Sequence, residues 1–433
     1  MKLSDSRGLS LLLVGLLTLL PLQRLSAQTG QAKQADKDKQ ADKDKSFSLN
    51  IDGRLTFDAA TYFVPGSSDL RYSGAPFRMS PASQVSQARI AAVVGLDRWS
   101  GRFDLDFVRA RVTLCDLFVR YSYAPQANIT VGYIFDPISI GINTASRHRS
   151  VNLAPAVAPL AQSSRHWSIH WRQWGRNYWL SAALAAGGIE SINASPNHYS
   201  EGYGLSARAV WLPSPEPDRL IHLGIAGTVR AGDRSQNPLG SFTLRAAPSS
   251  DVDGRSFILR TLTGVQRYEI LGLEAALRTP KVYLLGEGLY TRVGYDPTAT
   301  DPEKLQSGLF VSPHSYSNHY GGYIEGSYML RGTQRKYLKA ASVFNNVADE
   351  VSPGGNFELM ARLSYLNART GGASTDALVA LNWFPSPSVL LGLSYSYSQM
   401  NASASDGGKI TRVGAAYDGL QVHCLQLRTQ FVF

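Results

Sequence analysis

LQLRTQFVF, residues 425–433, is the stretch that decides the fold. Taken two at a time, Leu425, Leu427, Thr429, Phe431 and Phe433 fall on one side, and Gln426, Arg428, Gln430 and Val432 on the other. One apolar face and one polar face at a period of two is the signature of a strand between two different environments. Two architectures supply them. A soluble sandwich puts the apolar face on its core. A membrane barrel turns it to lipid and keeps the polar face for water inside.

The same alternation recurs from Ser46 onward. Phe47, Leu49, Ile51, Leu55 and Phe57 alternate with Ser48, Asn50, Asp52, Arg54, Thr56 and Asp58. Trp167, Ile169 and Trp171 alternate with His166, Ser168, His170 and Arg172, and Leu359, Ala361, Leu363 and Tyr365 with Glu358, Arg362 and Ser364. Sixteen strands are expected, at about 46–63, 85–97, 102–108, 111–123, 128–135, 164–173, 177–187, 201–213, 219–231, 267–278, 280–296, 317–331, 356–367, 375–384, 387–400 and 421–433. Most have about the ~9–11 residues a tilted spanning strand needs. Short Pro-rich turns (125–128, 213–218, 279–280, 385–387) alternate with long connections (64–84, 136–163, 232–266, 297–316, 401–420). Short periplasmic turns and long extracellular loops are the outer-membrane pattern, and an even count puts both chain ends on one side. Residues 332–355 break it as a long connection on the short side, where 336–344 reads as a candidate extra hairpin. Trp211, Trp383, Phe384, Tyr290 and Tyr328 sit near strand ends, as interfacial girdles do and a sandwich core does not require. The fold expected is therefore all-β: a closed antiparallel transmembrane β-barrel of about 16 strands.

If the strands close on one another, the last pairs with the first, and the barrel has no open edge in lipid. The terminal Phe433 looks like the C-terminal signal read by the outer-membrane insertion machinery. At the other end, residues 1–27 read as a secretory signal peptide. Lys2 and Arg7 precede the apolar run 11–20, and Leu25-Ser26-Ala27 ends on a small residue. Residues 28–45, with QADKDK twice, read as a solvated periplasmic tail. The barrel takes 46–433. No later stretch of about 18 apolar residues occurs, so no spanning helix is expected. The formal charge is +10. The signal holds three cations and one acid, leaving +8. Export and the scatter of basic residues argue against nucleic acid. Cys115 and Cys424 are too few for a disulfide scaffold and are expected as free thiols.

Candidate chemistry is thin. His166 and His170 share a strand face at roughly 13 Å, too far for one ion. SPHSYSNHYGGY, 312–323, holds His314, Ser315, Ser317 and Asn318. A nucleophilic serine needs an oriented base, and these residues lie at a loop-to-strand junction. No Walker pattern and no zinc spacing is present. No catalytic residue, metal or cofactor is expected. The alternatives to a channel are a barrel hydrolase on His314 and Ser315, or a plugged structural or adhesive barrel.

The inward charges carry the functional reading. Alternation places Arg54, Arg89, Arg102, Arg120, Arg172, Arg208, Arg230, Arg278, Arg362 and Arg428 in the lumen. It adds Asp52, Asp58, Asp104, Asp106, Asp116, Glu274, Glu325 and Glu358. Many should pair across the wall, and a subset near the constriction should favour anions, because guanidinium replaces part of an oxyanion's lost hydration.

From about Phe47 to Phe433 the chain resembles the phosphate-selective porin O and P family. The resemblance rests on Gly53-Arg54-Leu55, Ala88-Arg89-Ile90 and Gly132-Tyr133-Ile134-Phe135-Asp136-Pro137. Gly322–Leu330, Phe357–Tyr365, Leu381–Pro385 and the terminal Leu427-Arg428-x-Gln430-Phe431-x-Phe433 complete it. It implies a sixteen-stranded, usually trimeric barrel with a narrow Arg-rich pore. Loop 136–163, with Arg147 and Arg149, would be its constriction. Gln87 stands where the family often has a further Arg, and Cys115 where it often has Lys. Both changes remove positive charge. The function expected is passive outer-membrane diffusion of small anions, phosphate or other oxyanions among them. Arg54, Arg89, Arg120, Arg147, Arg149, Arg362, Arg102, Arg230, Arg428 and Asp116 are expected to line the pore. Expected partners are the solute, outer-membrane lipid and two further copies in a homotrimer.

Overall fold

The computed structural model describes residues 47–108, 110–151, 157–161, 165–186, 201–216, 218–232, 240–247, 250–295, 316–345 and 350–433. The signal and tail readings, and the His314–Ser315 pair, lie outside these residues.

The wall begins with β1 (Phe47–Phe63), followed by two short loop strands, β2 (Leu70–Tyr72) and β3 (Ala75–Pro76). Next come β4 (Ala82–Leu96), β5 (Trp99–Asp106), β6 (Thr113–Ala124) and β7 (Ala127–Phe135). Beyond the long third loop run β8 (Arg165–Trp174), β9 (Tyr178–Ala185), β10 (Glu201–Pro215) and β11 (Leu220–Gly232). A branch strand, β12 (Gly240–Ala246), pairs with the upper part of β13 (Ile258–Arg278). Then follow β14 (Val282–Tyr295), β15 (Tyr316–Arg331) and a two-residue hairpin, β16 (Tyr337–Leu338) with β17 (Val343–Phe344). The wall ends with β18 (Asn356–Asn367), β19 (Ala373–Ser386), β20 (Val389–Asn401), the short β21 (Ile410–Arg412) and β22 (Gly419–Val432).

Sixteen of these strands form one closed antiparallel barrel, because β22 pairs with both β20 and β1. Closure leaves no open sheet edge, which rules out the sandwich. The register brings Arg54 opposite Val432 and Phe63 opposite His423. Backbone bonds between Gly53 and Phe433 run both ways, at 2.9 and 3.1 Å. The terminal strand has the faces its sequence dictates. Leu425, Leu427, Phe431 and Phe433 are exposed on the outside, while Gln426, Arg428 and Gln430 are buried inside.

Two aromatic belts ring the outer face. Trp99, Tyr178, Trp211, Tyr328 and Trp383 lie at the short-turn end, and Trp167, Tyr290, Tyr320 and Tyr365 at the long-loop end. Leucine, isoleucine and valine side chains are exposed between them. Aromatics at two levels around an apolar band match a bilayer with its two interfaces. Phe384 is the exception to the girdle expectation. It is 2% exposed and packs inside against Met329 and Leu390.

β13 starts nine residues earlier than the alternation suggested and rises with β12 above the wall. The 332–355 connection does contain a hairpin, but β16 and β17 form a separate sheet and leave the wall at sixteen strands. Cys115 and Cys424 are both unbridged and buried.

Candidate functional site: a divided lumen

The third loop folds into the barrel. Its start is fixed by Asp136, which accepts from Arg230 at 2.7 Å and contacts His166 at 2.9 Å. Ser139 then caps a single helical turn, α1 (Ile140–Asn143), by accepting from the Ile142 N–H at 3.1 Å. The free N–H groups of that turn meet carboxylates on the wall. The amide of Ile140 donates to Glu274 at 2.9 Å, and that of Gly141 to Glu287 at 3.0 Å. Unsatisfied amides at a helix start carry partial positive charge, so paired carboxylates suit them.

Glu274 is a hub. Arg208 donates to it at 2.8 Å, and His222 lies 2.9 Å away. Arg208 also donates to the carbonyl of Ser342, and His222 contacts the Tyr337 hydroxyl, each at 2.9 Å. Ser342 and Tyr337 belong to the 332–355 connection. One buried carboxylate therefore ties the wall, the extracellular loop and the periplasmic hairpin together. Arg335 extends the joint, donating to Glu358 at 2.5 Å and to Ser150 of the third loop at 2.9 Å.

Apolar packing fills the space around these ties. Ile138, Ile140, Ile142 and Leu160 from the loop and Val343 and Phe344 from the hairpin share a cluster with Trp179, Tyr283, Leu285 and Tyr323 from the wall. Half of the lumen is thus a packed core. The wall strands there are apolar on both faces, which simple alternation does not anticipate. In β14, Leu284 and Tyr290 face out, while Tyr283, Leu285 and Leu289 face in.

The opposite half is polar. On β1, β4, β5 and β6, Arg102 pairs with Asp52 at 3.0 Å and with Asp104 at 3.1 Å. Arg89 pairs with Asp106 at 3.0 Å. Asp116 takes Arg165 at 3.0 Å, and Arg165 lies over the Phe135 ring at 3.7 Å. Arg428 binds Asp58 at 2.9 Å, and Ser86 donates to the same carboxylate. The loop tip reaches this wall. Ser146 donates to Gln87 at 2.9 Å, Gln430 donates to the Arg147 carbonyl at 3.2 Å, and Arg147 contacts Asp52 at 3.4 Å. Gln87 is thus one of the side chains that hold the loop tip.

Against these pairs stand arginines with no ion-paired carboxylate among the described residues. Arg54 lies directly across the ladder from Arg89, is 6% exposed, and its Nε has no partner. Like charges opposite one another in a ladder destabilise it. Arg149 donates to the Gly141 carbonyl at 2.8 Å, and its Nε is also orphaned. Burial, and then Arg362 nearby, push Arg149 down to about 10, so it stays charged at neutral pH. Arg120 donates to the Thr130 hydroxyl at 3.1 Å. Above the loop tip a polar cavity of about 430 Å³ opens, lined by Arg149, Arg245, Arg428, Gln84, Gln87 and Ser256, among others.

The expected lining residues therefore divide. Arg54, Arg89, Arg102, Arg120, Arg147, Arg149, Arg428 and Asp116 lie on the polar side. Arg230, 1% exposed, differs from the expectation: it is buried beneath the loop as the Asp136 tie. Arg362 pairs with Glu325 at 2.7 Å under Tyr323, at the edge of the packed half. Alternation missed Arg165, whose parity points outward but which bends in at a strand end. It missed Glu287, hidden among apolar neighbours. It also missed Arg335, which is on no wall strand.

A closed sixteen-strand wall between aromatic belts, with a charged lumen narrowed by an infolded loop, defines an outer-membrane channel. The sequence profile of the phosphate-selective porin O and P family matches residues 106–433. The chain belongs to that family. Arg54 and Arg89 lie before the matched stretch. No curated protein matches the chain. Among solved structures, the in-vitro folded trimer form of OmpT, an outer-membrane protein of Vibrio cholerae, aligns with a TM-score of 0.52 at 8% identity, covering 90% of this chain and 100% of that one. Its loop L8 deletion mutant aligns at 0.51 and 8% identity, covering 89% and 99%. At such identities the likeness is one of fold. Fold and family place the protein in the bacterial outer membrane as a porin.

Proposed function

We propose that this porin passes small anions passively, oxyanions such as phosphate among them, along the polar half of its lumen. The observation that carries the reading is the Arg54–Arg89 juxtaposition beside Arg147. Asp106 answers Arg89 and Asp52 answers Arg147, but among the described residues no carboxylate forms an ion pair with Arg54, and Asp104 lends it only a longer-range attraction. An anion in transit supplies the missing partner and relieves the like-charge contact. Arg149 and Arg428 at the upper cavity collect the solute, and Arg120 continues the path. Arg102 and Asp116 keep the wall polar through mutual pairs. In this reading the chain is exported by residues 1–27, carries a solvated tail over 28–45, is inserted through the Phe433 strand and works as a trimer. It performs no chemistry.

The test is single-channel current in a planar bilayer under a salt gradient. Wild type should prefer chloride over potassium, and added phosphate should reduce the current. The double variant Arg54→Gln, Arg89→Gln should lose most of that preference. An unchanged reversal potential in the variant refutes the assignment of these residues. A folded but silent wild type would instead support the plugged-barrel reading, to which the packed half-lumen lends weight.

A further inference from the structure

A second basic cluster lies outside the barrel, at the extracellular rim. Its height is set by the ladder. Leu271, Tyr290 and Tyr320 stand side by side on β13, β14 and β15 and are 50%, 42% and 44% exposed, at the level of the upper aromatic belt. Two residues further up, about 7 Å along the strands, the outward row is Glu269, Arg292 and Asn318. Arg267 follows on β13, with its side chain 61% exposed. Arg369 joins from the turn after β18. Its backbone is left-handed, at φ 53°, its N–H donates to the Asn367 side chain at 2.8 Å, and its Nε donates to the Asn318 carbonyl at 3.0 Å. A non-glycine residue in that conformation needs its surroundings to hold it. Here they hold a guanidinium at the rim beside Arg292.

The charges do not cancel. Arg267 and Glu269 lie 3.3 Å apart. Arg292 rests over the Tyr316 ring at 4.6 Å. Among the described residues, neither Arg292 nor Arg369 has an acidic partner. Among the described residues, the outward positions Phe63, Phe107, Trp167, Tyr203 and Gln399 near this rim are uncharged. Cations just above an aromatic belt sit in the headgroup layer rather than in hydrocarbon. Guanidinium binds phosphate through paired, charge-assisted hydrogen bonds.

We infer that the rim of β13, β14, β15 and β18 binds the phosphate of an outer-leaflet lipid headgroup, with Arg292 and Arg369 as its direct ligands. Tyr290, Tyr320 and Tyr365 flank the lipid's upper acyl chains. Arg267 strengthens the field while Glu269 tempers it. The site is separated from the solute path by the barrel wall.

The test uses the whole barrel in detergent, titrated with three probes: an outer-membrane glycolipid carrying phosphates, the same glycolipid dephosphorylated, and inorganic phosphate. Native mass spectrometry reads the bound fraction. Phosphorylated glycolipid should bind about tenfold more tightly than the dephosphorylated form, as expected for losing charge-assisted hydrogen bonds. Arg292→Gln should remove much of that preference, and adding Arg369→Gln the rest. Ion selectivity should be unchanged in Arg292→Gln, because that side chain lies on the outer face. Arg292 is exposed and makes no wall hydrogen bond, so the single variant should fold. Equal binding of the two glycolipids overturns the inference, as does a preference that survives both substitutions. Inorganic phosphate that matches the glycolipid in affinity overturns the lipid as the ligand.

Discussion

Gly53 shows what a single residue decides. A Cβ at this position would come within 2.3 Å of the Phe433 ring, which lies across β1 where the barrel closes. Gly53→Val should therefore push that exposed terminal ring aside and lower unfolding stability by about 1 kcal/mol, the low end of the cost of overpacking, read from the shift of the heat-modified gel band. A midpoint equal to wild type would mean that the ring does not rest on Gly53. His148 supplies a pH dependence. Burial first, then Arg147, Arg54 and Arg335, push its pKa down to about 3 from the ordinary 6.5. A depressed folded-state pKa means that the unfolded chain binds the proton more readily. The contribution is full above about 6.5 and is lost as pH falls towards 3. The loop should loosen in that window, seen as growing current noise between pH 6.5 and 4, and His148→Gln should flatten the trend. Noise that is independent of pH in wild type would count against this placement of the imidazole.

The third loop shows how an element is placed by its ties. A one-turn helix has little stability of its own. Here Glu274 and Glu287 hold its first amides, and isoleucines on the turn enter the packed half-lumen. Glu274→Ala leaves Arg208 buried without its carboxylate, a change that costs about 3–5 kcal/mol in comparable buried pairs. The expected result is a barrel that still folds but has a mobile loop, with larger and noisier conductance steps. Steps of wild-type size and noise would show that apolar packing alone seats the loop. Most elements were legible in the alternation, and the wall strands β18–β20 and β22 follow it closely. The exceptions share one cause. On β14 the inner face is apolar because the loop covers it, so period-two contrast disappears where the lumen is not water. Arg165 escaped for another reason: the first residue of a strand can bend out of the pleat.

For the whole molecule, the lumen is narrowed from both ends. The extracellular loop and the periplasmic hairpin meet at Ser150–Arg335 and around Glu274. Replacing residues 336–345 by a short turn should widen the path and raise conductance, because Val343 and Phe344 leave the packed half. Anion preference should survive, since Arg54, Arg89 and Arg147 lie on the other side. A folded variant with unchanged conductance would place the limiting constriction wholly in the polar half.

Alternating residues were enough to expect a barrel of about sixteen strands, its two environments and most of the inward arginines and carboxylates. Side-chain parity is a local property of a strand, and every wall strand carries it. Which arginines belong to the polar half and which are locked beneath the loop could not be read that way. Arg230 and Arg54 have the same parity and the same residue type, yet one is locked to Asp136 and the other faces Arg89 with no ion-pair partner among the described residues. That difference depends on where a loop and a hairpin, distant along the chain, come to rest inside the barrel. Their packing divides the lumen into an apolar half and a polar half.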